Sequence, residues 1–153
     1  MADPLTPAQV LAALPQREPF RFVDEILELD DEHIVATFRF REDAEFYRGH
    51  FPGNPVTPGV LLLEAMAQAG VAAHGVYLLA REVPGAIESG RLATLFTEAQ
   101  VEFAALVPPG ARIVVTGRKL WFRRRKLRSR VEARLDDGTL VALAELAGLA
   151  TTS

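Results

Sequence analysis

From Leu127 to Leu135 the chain alternates. Leu127, Ser129, Val131, Ala133 and Leu135 fall on one side, and Arg128, Arg130, Glu132 and Arg134 on the other. A period of two predicts an antiparallel strand with one wet face. The same alternation runs over 33–40, where Ile34, Ala36, Phe38 and Phe40 oppose Val35, Thr37 and Arg39. Residues 58–80 break the alternation. They are apolar almost all round, which predicts a helix buried on nearly every side. Thr57 is expected as its N-cap and Pro58 as its first helical residue. Further strands are expected at 20–29, 96–107, 112–122 and 139–146. Their turns are Asp30-Asp31-Glu32, Pro108-Pro109-Gly110 and Asp137-Gly138. A short helix at about 6–14 opens the chain, with Pro7 just inside it, and Pro15 and Pro19 follow as breakers.

The order is short helix, two strands, long buried helix, then four strands' worth of alternation and turns. That predicts an α+β fold in which one antiparallel sheet covers one central helix. A chain of 153 residues fits a single domain, 1–153, with a core of useful size. A hydrophobic share of 49% against 24% charged residues reads as globular and soluble. The net charge of −3 argues against a general polyanion binder. Absence of cysteine excludes disulfides and thiolate chemistry and fits a reducing cytoplasm. The first residues lack a basic stretch followed by an apolar run, so no signal peptide is expected. The 59–80 segment is long enough for a membrane span. It carries Glu64, Gln68 and His74, so it is read as a core helix.

The candidate chemistry lies where loop meets helix. Residues 49–59, Gly-His-Phe-Pro-Gly-Asn-Pro-Val-Thr-Pro-Gly, hold three prolines and three glycines, which suggests a rigid path rather than a mobile lid. Within it His50 can serve as a general base. Glu64, on the second helical turn among Leu61, Leu62, Leu63, Ala65 and Met66, is expected to have a raised pKa and to serve as a general acid. Gln68 shares its face four residues on. The first helical amides, Gly59 and Val60, can stabilise a carbonyl oxygen that gains negative charge. Base, acid and oxyanion donors together suit removal of a proton beside a carbonyl with loss of a group one carbon further on, or the reverse addition of water. Each part alone has a plainer reading: a structural loop histidine, a glutamate paired with an arginine, a tight connector. The combination carries the functional reading.

The run 49–60 with Glu64-Ala65-Met66-Ala67-Gln68 resembles the signature of the FabZ-type 3-hydroxyacyl-[acyl-carrier-protein] dehydratases. Residues 14–24 resemble that family's N-terminal stretch, and the likeness stays plausible through 101–103 and 107–110. The resemblance implies a hot-dog fold and a dimer with active sites at the subunit interface, where His50 of one chain meets Glu64 of the other. It implies that His50 takes the C2 proton and Glu64 assists departure of the C3 hydroxyl. Gly59 would hold the thioester carbonyl, Val56 would orient His50 through its carbonyl, and Phe51 and Gln68 would support the site. Glu64, where dehydratase–isomerases of the related FabA type carry Asp, leans toward simple dehydration. The resemblance also implies an acyl carrier protein as partner and a homodimer or dimer-based higher oligomer, with a heterodimer possible. The family usually has His at Gln16, often His at Asn54 and Met at Thr57, and usually two arginines at Ala104 and Ala105. These departures leave acid and base in place, and they leave primary fatty-acid synthesis and a specialised polyene or polyketide pathway both open.

Eight of the seventeen Lys and Arg residues lie in 118–130. The tip Arg123, Arg124, Arg125 and Lys126 reads first as a solvated turn and second as a docking surface for an acidic carrier protein. Nucleic acid comes last. His33 is expected at the surface, and His74 in packing or at an interface. Three scattered histidines give no metal-ligand spacing, and neither metal nor organic cofactor is expected. Two alternatives stand beside the dehydratase: a hot-dog acyl thioesterase, and a non-catalytic acyl-binding partner subunit of another dehydratase.

Overall fold

The computed structural model describes residues 3–88 and 90–151. Helix α1 (Pro7–Ala13) starts at a reciprocal cap: the Thr6 hydroxyl accepts the Gln9 amide, and the Gln9 side chain accepts the Thr6 amide. Six strands follow: β1 (Glu25–Leu29), β2 (His33–Arg39), β3 (Ala93–Phe103), β4 (Arg112–Arg123), β5 (Lys126–Leu135) and β6 (Leu140–Thr151). They form one sheet in the order β1-β2-β4-β5-β6-β3, antiparallel at every step. The sheet wraps helix α2 (Gly59–Glu82), giving the hot-dog arrangement. By length and composition α2 could cross a bilayer, with a mean hydropathy of 1.3, yet 72% of its most apolar window is buried inside the protein.

Helix α2 is not uniform. Its middle, Gln68–Ala73, widens into a π-turn, and Gln68, Gly70 and Ala73 there are all buried. This is where helix and sheet lie closest. A Cβ on Gly117 of β4 would sit 2.8 Å from the Gly70 Cα, and one on Gly70 would sit 2.6 Å from Val131 of β5. A Cβ on Gly148 of β6 would meet Val71 at 2.7 Å. Backbone therefore rests directly on sheet. Around this contact Ile34, Phe40, Met66, Ile113, Leu127 and Leu146 are fully enclosed, each worth roughly 1.5–3 kcal/mol of burial.

The three largest boundary differences from the sequence reading have physical reasons. The first strand begins at Glu25 rather than at 20, because Gln68 captures the backbone there: its Oε1 accepts the Phe22 N–H at 2.7 Å and its Nε2 donates to the Phe20 carbonyl at 2.9 Å. Strand β3 ends at Phe103 rather than 107. The Val107 carbonyl instead accepts the Thr57 amide at 3.1 Å, fastening this chain to the helix entrance. Strand β6 runs to Thr151, beyond the expected 146, because β3 begins early and pairs with it from Ala93↔Thr151 onward.

Thr57 does not cap α2. Pro58 occupies the cap position, no side chain bonds the first amides, and the Thr57 hydroxyl is held elsewhere, 2.5 Å from the Tyr47 phenol.

Candidate active site

The loop that carries His50 closes on itself in layers. Phe51 and Asn54 exchange backbone hydrogen bonds (3.3 and 2.9 Å), and the Val56 amide donates to the His50 carbonyl at 2.8 Å. The His50 Nδ1 lies 2.8 Å from the Val56 carbonyl. That oxygen can only accept, so Nδ1 carries the proton and Nε2 keeps its lone pair. This is the tautomer of a base. The ring stacks on Phe51 with centroids 4.2 Å apart. Val56 thus meets His50 twice, through carbonyl and amide.

Glu64 sits one and a half turns into α2, half-buried. Burial pushes its carboxyl above the usual range, and a hydrogen bond donated by Gln68 Nε2 to Oε2 at 2.8 Å pulls weakly the other way. Gln68 is itself enclosed and fully used by Glu64, Phe20 and Phe22. It fixes the Glu64 carboxyl and at the same time ties 20–22 to the helix. The sequence marks Gln68 by its spacing from Glu64 and by its place in the 64–68 motif, and nothing in the sequence points to its grip on the backbone of Phe20 and Phe22.

Glu64 and Gln68 face a cavity of about 280 Å³. Ala67, Val71, Ala72 and Gly75 extend its wall along the same stripe of α2, and Leu95, Phe96, Leu127, Leu149 and Ala150 of the sheet oppose them. From Glu64 to Gly75 the stripe spans roughly 16 Å at ~1.5 Å per residue. Two polar residues to which the sequence reading gives no site role join this wall: Gln16, whose Nε2 donates to the Thr94 hydroxyl at 2.9 Å, and Thr94 itself. Arg125 lines the cavity together with Phe122 and Leu127. His50, Phe51, Val56, Gly59 and Val60 do not line it.

At the head of α2 the amides of Gly59 and Val60 precede the first intrahelical partner and meet no capping side chain. Gly59 packs tightly: an added Cβ would sit 3.3 Å from the Phe103 ring.

The basic tip is a two-residue turn between β4 and β5. Arg124 and Arg125 both adopt left-handed backbone, with φ of 51° and 64°, a conformation that costs about 1–2 kcal/mol per residue without glycine. Arg123 lies over the Trp121 ring at 4.4 Å, and Lys126 bonds Glu98 at 2.7 Å. Of the other histidines, His33 is held between the Glu28 and Asp30 carboxylates at 2.9 and 3.0 Å, which raise its pKa. His74 is completely enclosed. Among the described residues, no group of three His, Asp or Glu side chains is placed to hold a metal ion.

The chain matches known proteins over most of its length. The family model described as a FabA-like domain covers residues 14–144. A protein of Streptococcus pyogenes named 3-hydroxyacyl-[acyl-carrier-protein] dehydratase FabZ is 39% identical over 135 residues, which are 88% of this chain and 90% of the relative. Among solved structures, the dehydratase heterocomplex ApeI:P from Xenorhabdus doucetiae superimposes with a TM-score of 0.72 at 16% identity, covering 95% of this chain and 91% of that one. A thioesterase from Pseudomonas aeruginosa superimposes at 0.58 with 14% identity, covering 84% and 81%. At such identities the solved structures speak for the fold, and the 39% sequence identity speaks for the lineage. The chain belongs to the FabZ-type 3-hydroxyacyl-[acyl-carrier-protein] dehydratases, within the FabA-like family.

Proposed function

We propose that the chain, working as one hot-dog domain in the cytoplasm, removes water from 3-hydroxyacyl thioesters carried on acyl carrier protein and yields trans-2-enoyl thioesters. The observation that carries this reading is Glu64: a carboxyl made protonatable by burial, on the wall of a mostly apolar cavity, beside a helix head with open amides. His50 Nε2 takes the proton from C2, and the electron pair forms the C2–C3 double bond. The C3–O bond breaks as Glu64 gives its proton to the departing hydroxyl, which leaves as water. The amides of Gly59 and Val60 hold the thioester oxygen while it carries charge. Proton return from His50 to Glu64 through solvent resets the site.

His50 lies off the wall of its own chain's cavity, and strand β3 is a sheet edge with Leu95 and Phe96 exposed on it. Both facts support a homodimer in which one copy's His50 completes the other's cavity. The Arg123–Lys126 turn supports carrier docking, since Arg125 also borders the cavity and two arginines occupy a turn that glycine would fill at lower cost.

The test is dehydration of a 3-hydroxyacyl carrier thioester, followed by mass. Wild type is expected to lose water without releasing thiol; thiol release alone would select a thioesterase instead. Because Glu64 must be protonated, turnover is expected to fall as pH rises through its raised pKa. A mixture of His50→Ala and Glu64→Gln chains, each inactive, is expected to recover about a quarter of wild-type activity through mixed dimers with one intact site. A mixture that stays inactive while mixed dimers form would rule out the shared site.

A further inference from the structure

We infer that Tyr47 and Thr57 form a side-chain clamp that positions the proposed base against the head of α2. The inference rests on the dehydratase reading for its consequence in catalysis, and on geometry alone for the clamp itself. Tyr47 belongs to the 3₁₀ turn Glu45–Arg48, and Thr57 is the last residue before the cap of α2. Their hydroxyls lie 2.5 Å apart, and both residues are buried, 5% and 7% exposed. The bond therefore joins the two stems of the His50 loop. Inside it lie the His50–Val56 bonds, and inside those the Phe51–Asn54 pair. The layers nest at 47/57, 50/56 and 51/54. The inner two depend on backbone groups, and the outer one is made by two side chains alone.

The same bond settles the fate of the Thr57 hydroxyl. A threonine next to a helix start ordinarily turns its oxygen to the first amides. Here the phenol holds that oxygen, and the amides of Gly59 and Val60 meet no capping side chain. The Thr57 amide is fastened on the other side to the Val107 carbonyl at 3.1 Å. One residue is thus pinned by side chain to the start of the loop and by backbone to the segment after β3. His50 hangs between these anchors. Tyr47 and Thr57 touch neither the cavity nor the proposed reacting atoms, so they act as positioning residues.

The experiment uses three full-length variants that keep volume: Tyr47→Phe, Thr57→Val and the double. Imidazole nitrogen and ring-proton NMR signals are recorded for all three histidines. The clamp predicts that the His50 signals move in both single variants and move no further in the double, while those of His74 stay in place. Thr57→Ser, which keeps the hydroxyl, should restore the wild-type His50 spectrum. In the dehydration assay kcat should fall about tenfold in each variant, in line with the steep cost of sub-ångström misplacement, with KM nearly unchanged and no further loss in the double. Unmoved His50 signals in both single variants would overturn the clamp. So would losses that multiply in the double, or that appear in KM with kcat intact. The NMR arm reads the clamp whether or not the wild type dehydrates, so failure of the clamp and failure of the proposed function remain distinguishable.

Discussion

His50 and His74 are held by the same device and placed in opposite surroundings. Each has one ring nitrogen fixed on a backbone carbonyl: Nδ1 on Val56 for His50, and Nε2 on Asp30 for His74, both at 2.8 Å. Each therefore keeps one nitrogen with a lone pair. His50 presents that nitrogen from a partly exposed loop, ahead of a helix with open amides. His74 presents it to the core, where its Nδ1 is enclosed and without a partner, and burial pushes its pKa down. A carbonyl that fixes the tautomer makes a base available in either place. On the proposed function, access to a substrate is what separates the base at His50 from the packed ring at His74.

The strongest way to break this comparison is to delete each ring. His50→Ala should lower kcat by roughly a thousandfold, the scale of a lost general base, with little change in melting temperature. His74→Ala should do the reverse. The hole it leaves and the stranded Asp30 carbonyl should cost about 2–4 kcal/mol in urea unfolding, with turnover of the folded fraction nearly unchanged. A large loss of kcat in folded His74→Ala would refute the assignment of His74 to packing.

Proton linkage offers a subtler separation. The folded state depresses the His74 pKa, so below the ordinary histidine value of about 6.5 the unfolded chain binds the proton more readily. Stability should be fully present above that value and decline as pH falls toward the depressed one. His33 runs the other way. Glu28 and Asp30 raise its pKa, so its contribution is present below about 6.5 and lost as pH rises through the raised value. Urea midpoints from pH 8 to 5 should show the acid-side decline in wild type and lose most of it in His74→Gln.

The smallest effect concerns the β4–β5 turn. Arg124→Gly should relieve left-handed strain and stabilise the protein by up to about 1 kcal/mol. It should also raise KM for a carrier-bound substrate severalfold and leave KM for a short soluble thioester alone. An equal change for both substrates would remove the docking role.

The parts of this molecule that sequence reveals are those with local causes. Alternation marked the strands, an all-round apolar run marked α2, and the proline- and glycine-rich loop marked His50. Glu64 stood out as a carboxylate where the pattern called for an apolar residue, and burial in the fold raises its pKa as that setting implied. What escaped was set by pairings distant in sequence. Gln68 takes the backbone of Phe20 and Phe22 across 48 and 46 residues, shortening β1. Thr57 reads as a cap until Tyr47 claims its hydroxyl. Gln16 meets Thr94 across 78 positions, a bond that no local rule anticipates. Each miss is a tertiary partner outbidding a local preference.

The contact between Gly70 and Gly117 limits how this protein can change. A Cβ on Gly117 would fall 2.8 Å from the Gly70 Cα, whereas one on Gly70 would meet the Val131 side chain at 2.6 Å. A side chain at Gly117 must therefore lift α2 off the sheet, and the helix that lifts is the one that bears Glu64 and Gln68. The spacing between helix and sheet, and with it the height of the cavity wall that bears Glu64, is set at this contact.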